Sequence, residues 1–145
     1  MQRNLTEPAE FARRIRAHAL RMVHAAKASH IGGCLSMADI LAVLYTRTLR
    51  LDAANPGEPS RDRFILSKGH ATAILYAALA ERGFFPVDDL KTYCCDGSIF
   101  TGHVSHAVPG VEVSTGSLGH GLPIAIGMAL AVRNTNFSTG ILKIL

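Results

Sequence analysis

Four of the seven histidines in this 145-residue chain stand in turns that also contain glycine. They are His30 in SHIGG, His70 in SKGH, His103 in TGH and His120 in GSLGHG. An imidazole donates or accepts hydrogen bonds and titrates near neutral pH, so it suits both anion binding and proton transfer. Taken alone, each histidine is more typical of an ordinary turn. Together they indicate a ligand site, because α/β proteins gather ligands at the turns between strands and helices.

The stretch TGSLGHGL at 115–122 places three glycines just before a long apolar segment. Glycine lets another group approach the backbone closely, because no Cβ stands in the way. The first turn of a helix also presents unpaired N–H groups. The stretch therefore predicts a turn that lies against a ligand.

The elements that position these turns follow from hydrophobic periodicity. A first helix is expected from Thr6, with Thr6 as its N-cap and Pro8 in its first turn. Its apolar stripe comprises Phe11, Ile15, Ala19, Met22 and Ala26. A second helix is expected to open at Ser36, which forms a capping box with Asp39. Its buried face comprises Met37, Ile40, Leu41, Leu44 and Leu49.

Further along the chain, 52–62 is rich in proline and polar residues and predicts a surface linker. The segment RFILSKGH at 63–70 predicts a buried strand that ends in a polar turn. A third helix is expected from Ala71 to Arg82, stopping at Gly83, with Leu75 and Tyr76 in the core. A shorter helix near 87–93 precedes a long irregular loop at 94–110. The last helix starts near Gly119 and is apolar nearly all round, so we expect it to be buried.

Composition narrows the class of protein. With 48% hydrophobic and 18% charged residues, the chain fits a single globular domain. The net charge of +4 comes from scattered basic residues, so we expect no nucleic-acid partner. The longest apolar stretch is too short to span a bilayer and no signal peptide is evident, which predicts a soluble cytoplasmic protein with no membrane contact. The three cysteines are expected to be free thiols.

Four strings occur in the order found in one known family: KASHIGGCLSMADIL, DRFILSKGHATAILYAAL, TGH and GVEVSTGSLGHGL. Over about residues 10 to 133 the chain resembles the N-terminal, thiamine diphosphate-binding part of transketolase, and especially the N-terminal subunit of split transketolase-like enzymes. The resemblance implies an α/β fold with a parallel sheet flanked by helices. It implies one partial thiamine diphosphate-binding domain over 1–145, with no second domain and an incomplete C-terminal end.

The resemblance also implies roles for individual residues. His30 and His103 match the histidines that contact the sugar substrate, and they are the expected catalytic residues. His70 matches one that reaches both the cofactor diphosphate and the substrate channel. The turn at Gly116, Ser117 and Leu118 matches the one that lies against thiamine diphosphate. Ser117 stands where proline is frequent in the family, and His120 stands where glutamine is frequent.

Mg²⁺ is expected for the family, which binds it through a Gly-Asp-Gly motif followed by Asn. Neither this motif nor any substitute appears in the chain, since the nearest string, CDGS at 95–98, lies upstream of the cofactor turn. The resemblance therefore assigns no metal ligand here and implies truncation before that motif. The family's activating glutamate comes from another domain, which implies a dimer or heterotetramer whose partner is a C-terminal transketolase subunit.

Two functions remain open at this point. One is thiamine diphosphate-dependent transfer of a two-carbon ketol unit between sugars, by a subunit or fragment that needs a partner chain. The alternative is a non-catalytic truncated remnant that only packs against or binds a partner. In either case the isolated chain is expected to be poorly stable and inactive.

Two smaller questions also stay open. A zinc site from His103, His106, Cys94 and Cys95 is a weak pattern, because adjacent cysteines seldom both ligate one tetrahedral ion. Glu112, beside the glycine-rich turn, is interpreted either as an interface residue or as a helix cap.

Overall fold

The computed structural model describes residues 7–133 and the strand at 142–144. The α-helices are α1 Pro8–Ala25, α2 Ile31–Val43, α3 Thr72–Glu81 and α4 Gly121–Arg133. A π-helical turn, Leu44–Thr48, extends α2, and short 3₁₀ helices span Gly69–Ala71 and Val87–Thr92. The strands are β1 Arg63–Ile65 and β2 Leu142–Ile144. In this part of the chain, helices dominate the fold.

Helix α1 forms because its apolar residues recur every three or four positions. Its buried stripe includes Phe11, Ile15, Ala19 and Met22, as predicted. Pro8 occupies the first helical turn, where its missing N–H costs nothing. The predicted N-cap Thr6 lies outside the described residues, and Glu7 stands at the N-cap position without a side-chain cap.

The predicted start of α2 is wrong. The helix begins at Ile31, with His30 at the N-cap position, so the glycines of SHIGG belong to the first helical turn. Ser36 lies inside the helix and its hydroxyl donates to the Gly33 carbonyl at 2.8 Å. Asp39 caps nothing, because it is paired with Arg16 of α1. Of the predicted buried face, Met37, Leu41 and Leu49 are buried, but Ile40 is 47% exposed.

Helix α3 is the centre of the core. Each residue from Thr72 to Ala80 is buried, because α1 and α2 both pack against this helix. Burying a leucine or isoleucine side chain contributes about 1.5–3 kcal/mol, so this helix carries much of the hydrophobic stabilisation. The predicted stop at Gly83 is confirmed, with Gly83 at φ +82°. Leu75 and Tyr76 are core residues, as expected.

The expected sheet is seen only in part. Strand β1 pairs in parallel with β2, in a register that sets Arg63 opposite Leu142 and Ile65 opposite Ile144. Each strand has three residues, and the described residues do not form a wider sheet with helices on both faces. The α/β architecture is therefore limited here to a two-stranded ladder beside a helical core.

The prediction that the last helix is buried is wrong for the described residues. Only Gly121 and Ala125 of α4 are buried, whereas Leu122, Ile126 and Leu130 are each about half exposed. No helix in the described part of the chain is long and apolar enough to cross a membrane. All three cysteines are free thiols, as predicted, with Cys34 buried and Cys94 and Cys95 exposed.

Candidate functional site

Three of the four predicted histidines meet in space. The ring centroids of His30 and His70 are 5.1 Å apart, and those of His30 and His103 are 6.2 Å apart. Each histidine comes from a different element: the start of α2, the 3₁₀ turn before α3, and the loop that follows residue 102. The fold thus converts three separate turns into one cluster, which we call the histidine cluster.

The start of α2 is shaped to fit this cluster. His30 adopts a left-handed backbone conformation with φ +71°, which costs a non-glycine residue about 1–3 kcal/mol and is typical of functional sites. Three residues on, Gly33 lies against the His70 ring. A Cβ at Gly33 would stand only 3.3 Å from Cδ2 and Nε2 of His70. This glycine, which resembles a turn signal in the sequence, therefore provides room for a histidine.

Backbone hydrogen bonds through Val104 hold the turns of the site together. The Val104 N–H donates to the Gly69 carbonyl, and the Thr115 N–H donates to the Val104 carbonyl, both at 3.2 Å. We call this pair of bonds the Val104 bridge. The Thr115 hydroxyl adds a bond of 2.5 Å to the Leu66 carbonyl. A Cβ at Gly69 would come within 2.4 Å of the Thr115 oxygen, so this approach requires glycine.

Gly69 and Thr115 are structural residues of the site that lie within the sequence motifs but have no role assigned to them there. The signal available for Gly69 is its place directly before the histidine of SKGH, a position where backbone rather than side chain meets a neighbour. Thr115 gives no comparable signal, because a lone threonine is typical of any loop.

One end of the glycine-rich turn lies at the histidine cluster, and the rest of the turn is exposed at the surface. Gly116 lies against His103, where an added Cβ would stand 3.2 Å from Cδ2 of the ring. Ser117 and Leu118 are exposed, and Leu118 has 74% of its surface accessible. His120 is also exposed and does not join the histidine cluster; its N–H donates to the Ser117 carbonyl at 3.3 Å. The turn therefore presents backbone and an apolar side chain beside the histidines.

The electrostatics of the cluster favour a neutral His70. Burial lowers the pKa of His70 below its ordinary value of 6.5, and the nearby positive charges of His30, Lys68 and His103 lower it further. A neutral imidazole accepts a proton or a hydrogen bond at neutral pH. Lys68 donates to the Ser36 hydroxyl at 3.3 Å and adds a positive charge close to the cluster. This charge favours an anionic group on the ligand.

The chemistry of the described residues fits thiamine diphosphate. A side-chain-free backbone at Gly116 and the exposed Leu118 suit a flat ring, and His70 with Lys68 suits an anionic tail. Mg²⁺ needs several oxygen ligands. Among the described residues, no group of three or more His, Cys, Asp or Glu is placed to hold a metal ion.

The Glu112 side chain is buried and paired with two arginines of this chain. Its carboxylate is 6% exposed and accepts hydrogen bonds of 3.0 Å from Arg61 and Arg63. The pairing joins the end of the 52–62 linker and β1 to the segment that leads into Thr115. Removing one partner of such a buried ion pair is costly because it leaves the other charge unpaired. Glu112 therefore fixes the segment that precedes the glycine-rich turn.

The weak zinc pattern is not assembled in the described residues. The His106 ring instead contacts the Ser114 hydroxyl at 2.8 Å through Nδ1, and the same hydroxyl accepts from the His106 N–H at 3.0 Å. His106 thus ties the 94–110 loop to the segment before the glycine-rich turn.

Comparison with known proteins agrees with this geometry. Residues 8–140 match the family described as transketolase, thiamine diphosphate binding domain. The chain is 48% identical over 105 residues to a 6-deoxy-6-sulfo-D-fructose transketolase subunit of Clostridium sp. (strain MSTE9), covering 72% of this chain and 38% of that protein. It is 44% identical over 118 residues to one of the apulose-4-phosphate transketolase subunits of Phocaeicola vulgatus, covering 81% and 42%.

A solved structure gives the same result. Transketolase from Leishmania mexicana superposes with a TM-score of 0.82 and 38% identity, covering 88% of this chain and 19% of that one. The chain thus spans less than half the length of these relatives. Since the family match extends over residues 8–140, the chain belongs to the transketolase family, and the match is to its thiamine diphosphate-binding domain.

Proposed function

We propose that this chain is the thiamine diphosphate-binding subunit, or part of that subunit, of a two-chain transketolase-like transferase. The enzyme would move a two-carbon ketol unit from one sugar to another. The observation that carries the proposal is the convergence of His30, His70 and His103 beside the turn at Gly116. Two relatives are named as transketolase subunits, which supports a partner chain that completes the site.

In this proposal, four positions hold the cofactor. His70 would contact the diphosphate, and Gly116, Ser117 and Leu118 would contact the rings. When bound, thiamine diphosphate supplies the electron sink for cleaving the ketose carbon–carbon bond. The expected Mg²⁺ would need ligands beyond those described here, because the sequence contains no Gly-Asp-Gly.

His30 and His103 act on the sugar. Cleavage between C2 and C3 of a ketose converts a hydroxyl into an aldehyde, so a proton must leave the C3 oxygen and later return to an acceptor oxygen. Two imidazoles about 6 Å apart can contact neighbouring sugar hydroxyls and stabilise the developing negative charge. His70, whose pKa is lowered by burial and by its neighbours, keeps one ring N–H when neutral and can donate it to the diphosphate.

The enzyme would act on a sugar substrate in the cytoplasm. This chain would pair with a C-terminal transketolase subunit in a dimer or heterotetramer. The test is to purify the full-length chain with its C-terminal partner and to measure thiamine diphosphate binding in the presence of Mg²⁺. Ketol transfer from a ketose to an aldose is then measured with and without the partner.

We expect transfer only in the complex. His30→Ala and His103→Ala should each lower kcat by about 10²–10⁴-fold, the usual range for general acid–base groups. His24→Ala, an exposed change on α1, is the matched control and should leave kcat unchanged. If the complex forms but binds no cofactor and transfers no ketol unit, the chain is the non-catalytic partner-binding remnant instead.

A further inference from the structure

Tyr76 is fully buried in α3, yet its hydroxyl is bonded to the loop that carries His103. The hydroxyl donates to the His103 carbonyl at 3.2 Å and accepts from the Ser105 N–H at 3.1 Å. Both the donor and an acceptor position of the phenol are therefore used. One side chain from the centre of the core thus holds main-chain groups on both sides of residue 104.

The Tyr76 ring is itself fixed. It packs edge-to-face against Phe100 at 5.5 Å and against Tyr93 at 6.5 Å between ring centroids. It is 0% exposed and belongs to the most completely buried helix of the described chain. A hydroxyl on such a rigid support defines the orientation of the peptide groups that it contacts.

The backbone around His103 needs such support. His103 lies in the long 94–110 loop, and its ring must lie close to both His30 and Gly116. The Val104 bridge ties residue 104 to its neighbours but uses neither the His103 carbonyl nor the Ser105 N–H. The His103 carbonyl also accepts from the Thr101 hydroxyl at 2.8 Å, but that bond comes from the same loop and does not tie it to the core.

We propose that the Tyr76 hydroxyl is a positioning group that holds His103 in the orientation required for proton transfer. The inference rests on the proposed function for the role of His103, but not for the contact itself. Because Tyr76 is 0% exposed, it acts on the site only through the His103 loop. Its ring packs in the core, and its hydroxyl orients the loop that carries His103.

The decisive variant is Tyr76→Phe in the full-length chain with its partner subunit. It keeps the ring packing, deletes the hydroxyl and leaves the Ser105 N–H without its acceptor. We expect kcat to fall about tenfold while the Kd of thiamine diphosphate stays within about twofold, because misplacing a catalytic group lowers the rate without removing a cofactor contact. Tyr45→Phe is the matched control: Tyr45 is 2% exposed and packs against Phe64 away from the histidine cluster.

A double-mutant cycle separates positioning from general structure. In a His103→Ala background, Tyr76→Phe should cause no further loss of kcat, because the group that it positions is gone. The proposal would be overturned if Tyr76→Phe lowered kcat by about a further tenfold in the His103→Ala background, or if it left kcat unchanged in the chain that keeps His103.

NMR of the full-length chain with isotope-labelled histidine gives a readout independent of activity. Tyr76→Phe should shift and broaden the His103 ring signals, whereas Tyr45→Phe should leave them in place. Unchanged His103 signals would overturn the proposal even if the enzyme proves inactive. If Tyr76→Phe shifts these signals but the unsubstituted chain with its partner shows no ketol transfer, the positioning contact is supported and only the proposed function is rejected.

Discussion

Helices α3 and α4 are both strongly apolar, yet they lie in opposite surroundings. In α3, nine consecutive residues are buried. In α4, only Gly121 and Ala125 of 13 residues are buried, and Leu122, Ile126 and Leu130 form an exposed stripe at four-residue spacing. The difference shows that apolar composition alone does not bury a helix. A helix is buried only where other elements cover each of its faces, and of these two helices only α3 meets that condition in the described residues.

The largest expected contrast is between matched leucine truncations in the two helices. Leu79→Ala in α3 opens a cavity at a 0% exposed position and should lower the free energy of unfolding by about 2–5 kcal/mol. Leu130→Ala, at a 52% exposed position in α4, should change it by less than about 0.5 kcal/mol. Urea unfolding monitored by circular dichroism measures both. Equal losses would mean that α4 is packed in solution and would remove the contrast.

Glycine-to-alanine substitutions should change the free energy of unfolding in opposite directions at the turn before α3 and within α4. Gly69→Ala drives a Cβ to 2.4 Å from the Thr115 oxygen and disturbs the Val104 bridge, so we expect a loss of about 1–3 kcal/mol. Gly127→Ala meets no atom within 4 Å and should stabilise the chain by up to about 1 kcal/mol, since alanine favours the helix. Thermal melts of the two variants test the signs. A stabilised Gly69→Ala protein would refute the close approach.

A smaller contrast is expected between the hydroxyls that precede α4. Thr115→Val removes a buried hydrogen bond to the Leu66 carbonyl and should cost about 1–2 kcal/mol in unfolding free energy. Ser117→Ala changes an exposed side chain two residues later and should be neutral within about 0.5 kcal/mol. Chemical denaturation provides both values. If the two variants behave alike, the Thr115 contact is not formed in solution.

The smallest effect concerns the titration of His70 at the turn before α3. We expect an NMR pKa below the ordinary 6.5, chiefly because burial disfavours the charged ring. His30→Asn should move this pKa upward by removing a neighbouring charge. Because the folded pKa is lower than the unfolded one, this group favours unfolding as the pH falls below about 6.5 and is neutral for stability above it. A folded pKa at or above 6.5 would contradict the described surroundings.

The parts of the fold that local signals define were predictable from the sequence. The stripe of α1, the stop of α3 at Gly83 and the strand at 63–65 depend on periodicity and on single turn residues, and all three are confirmed. The start of α2 was not predictable in this way. Its glycines resemble a turn, but Gly33 is helical and small because His70, distant in sequence, lies against it.

The sequence motifs named three histidines that lie together in the structure, but the motifs did not show how these residues are held. The four ordered motifs named the histidines, and the structure brings His30, His70 and His103 together. Tyr76 is expected in the core, since AILYAAL resembles an apolar helix face, and nothing local shows that its hydroxyl reaches the His103 loop. Likewise, no pattern within α4 indicates whether a neighbouring layer covers it. Both features depend on contacts between distant segments.

The Val104 bridge bears on how this family can vary. Both of its bonds are made by the main chain, so they do not depend on which side chain stands at position 104. They fix the loop next to His103, near its middle, and the Cys94 N–H adds a bond of 2.8 Å to the Phe100 carbonyl within the loop. Phe100 is buried against Tyr76, whereas residues Cys95 to Gly97 are exposed, so sequence changes are best tolerated in that short stretch. A change in this exposed stretch would therefore leave the histidine cluster in place.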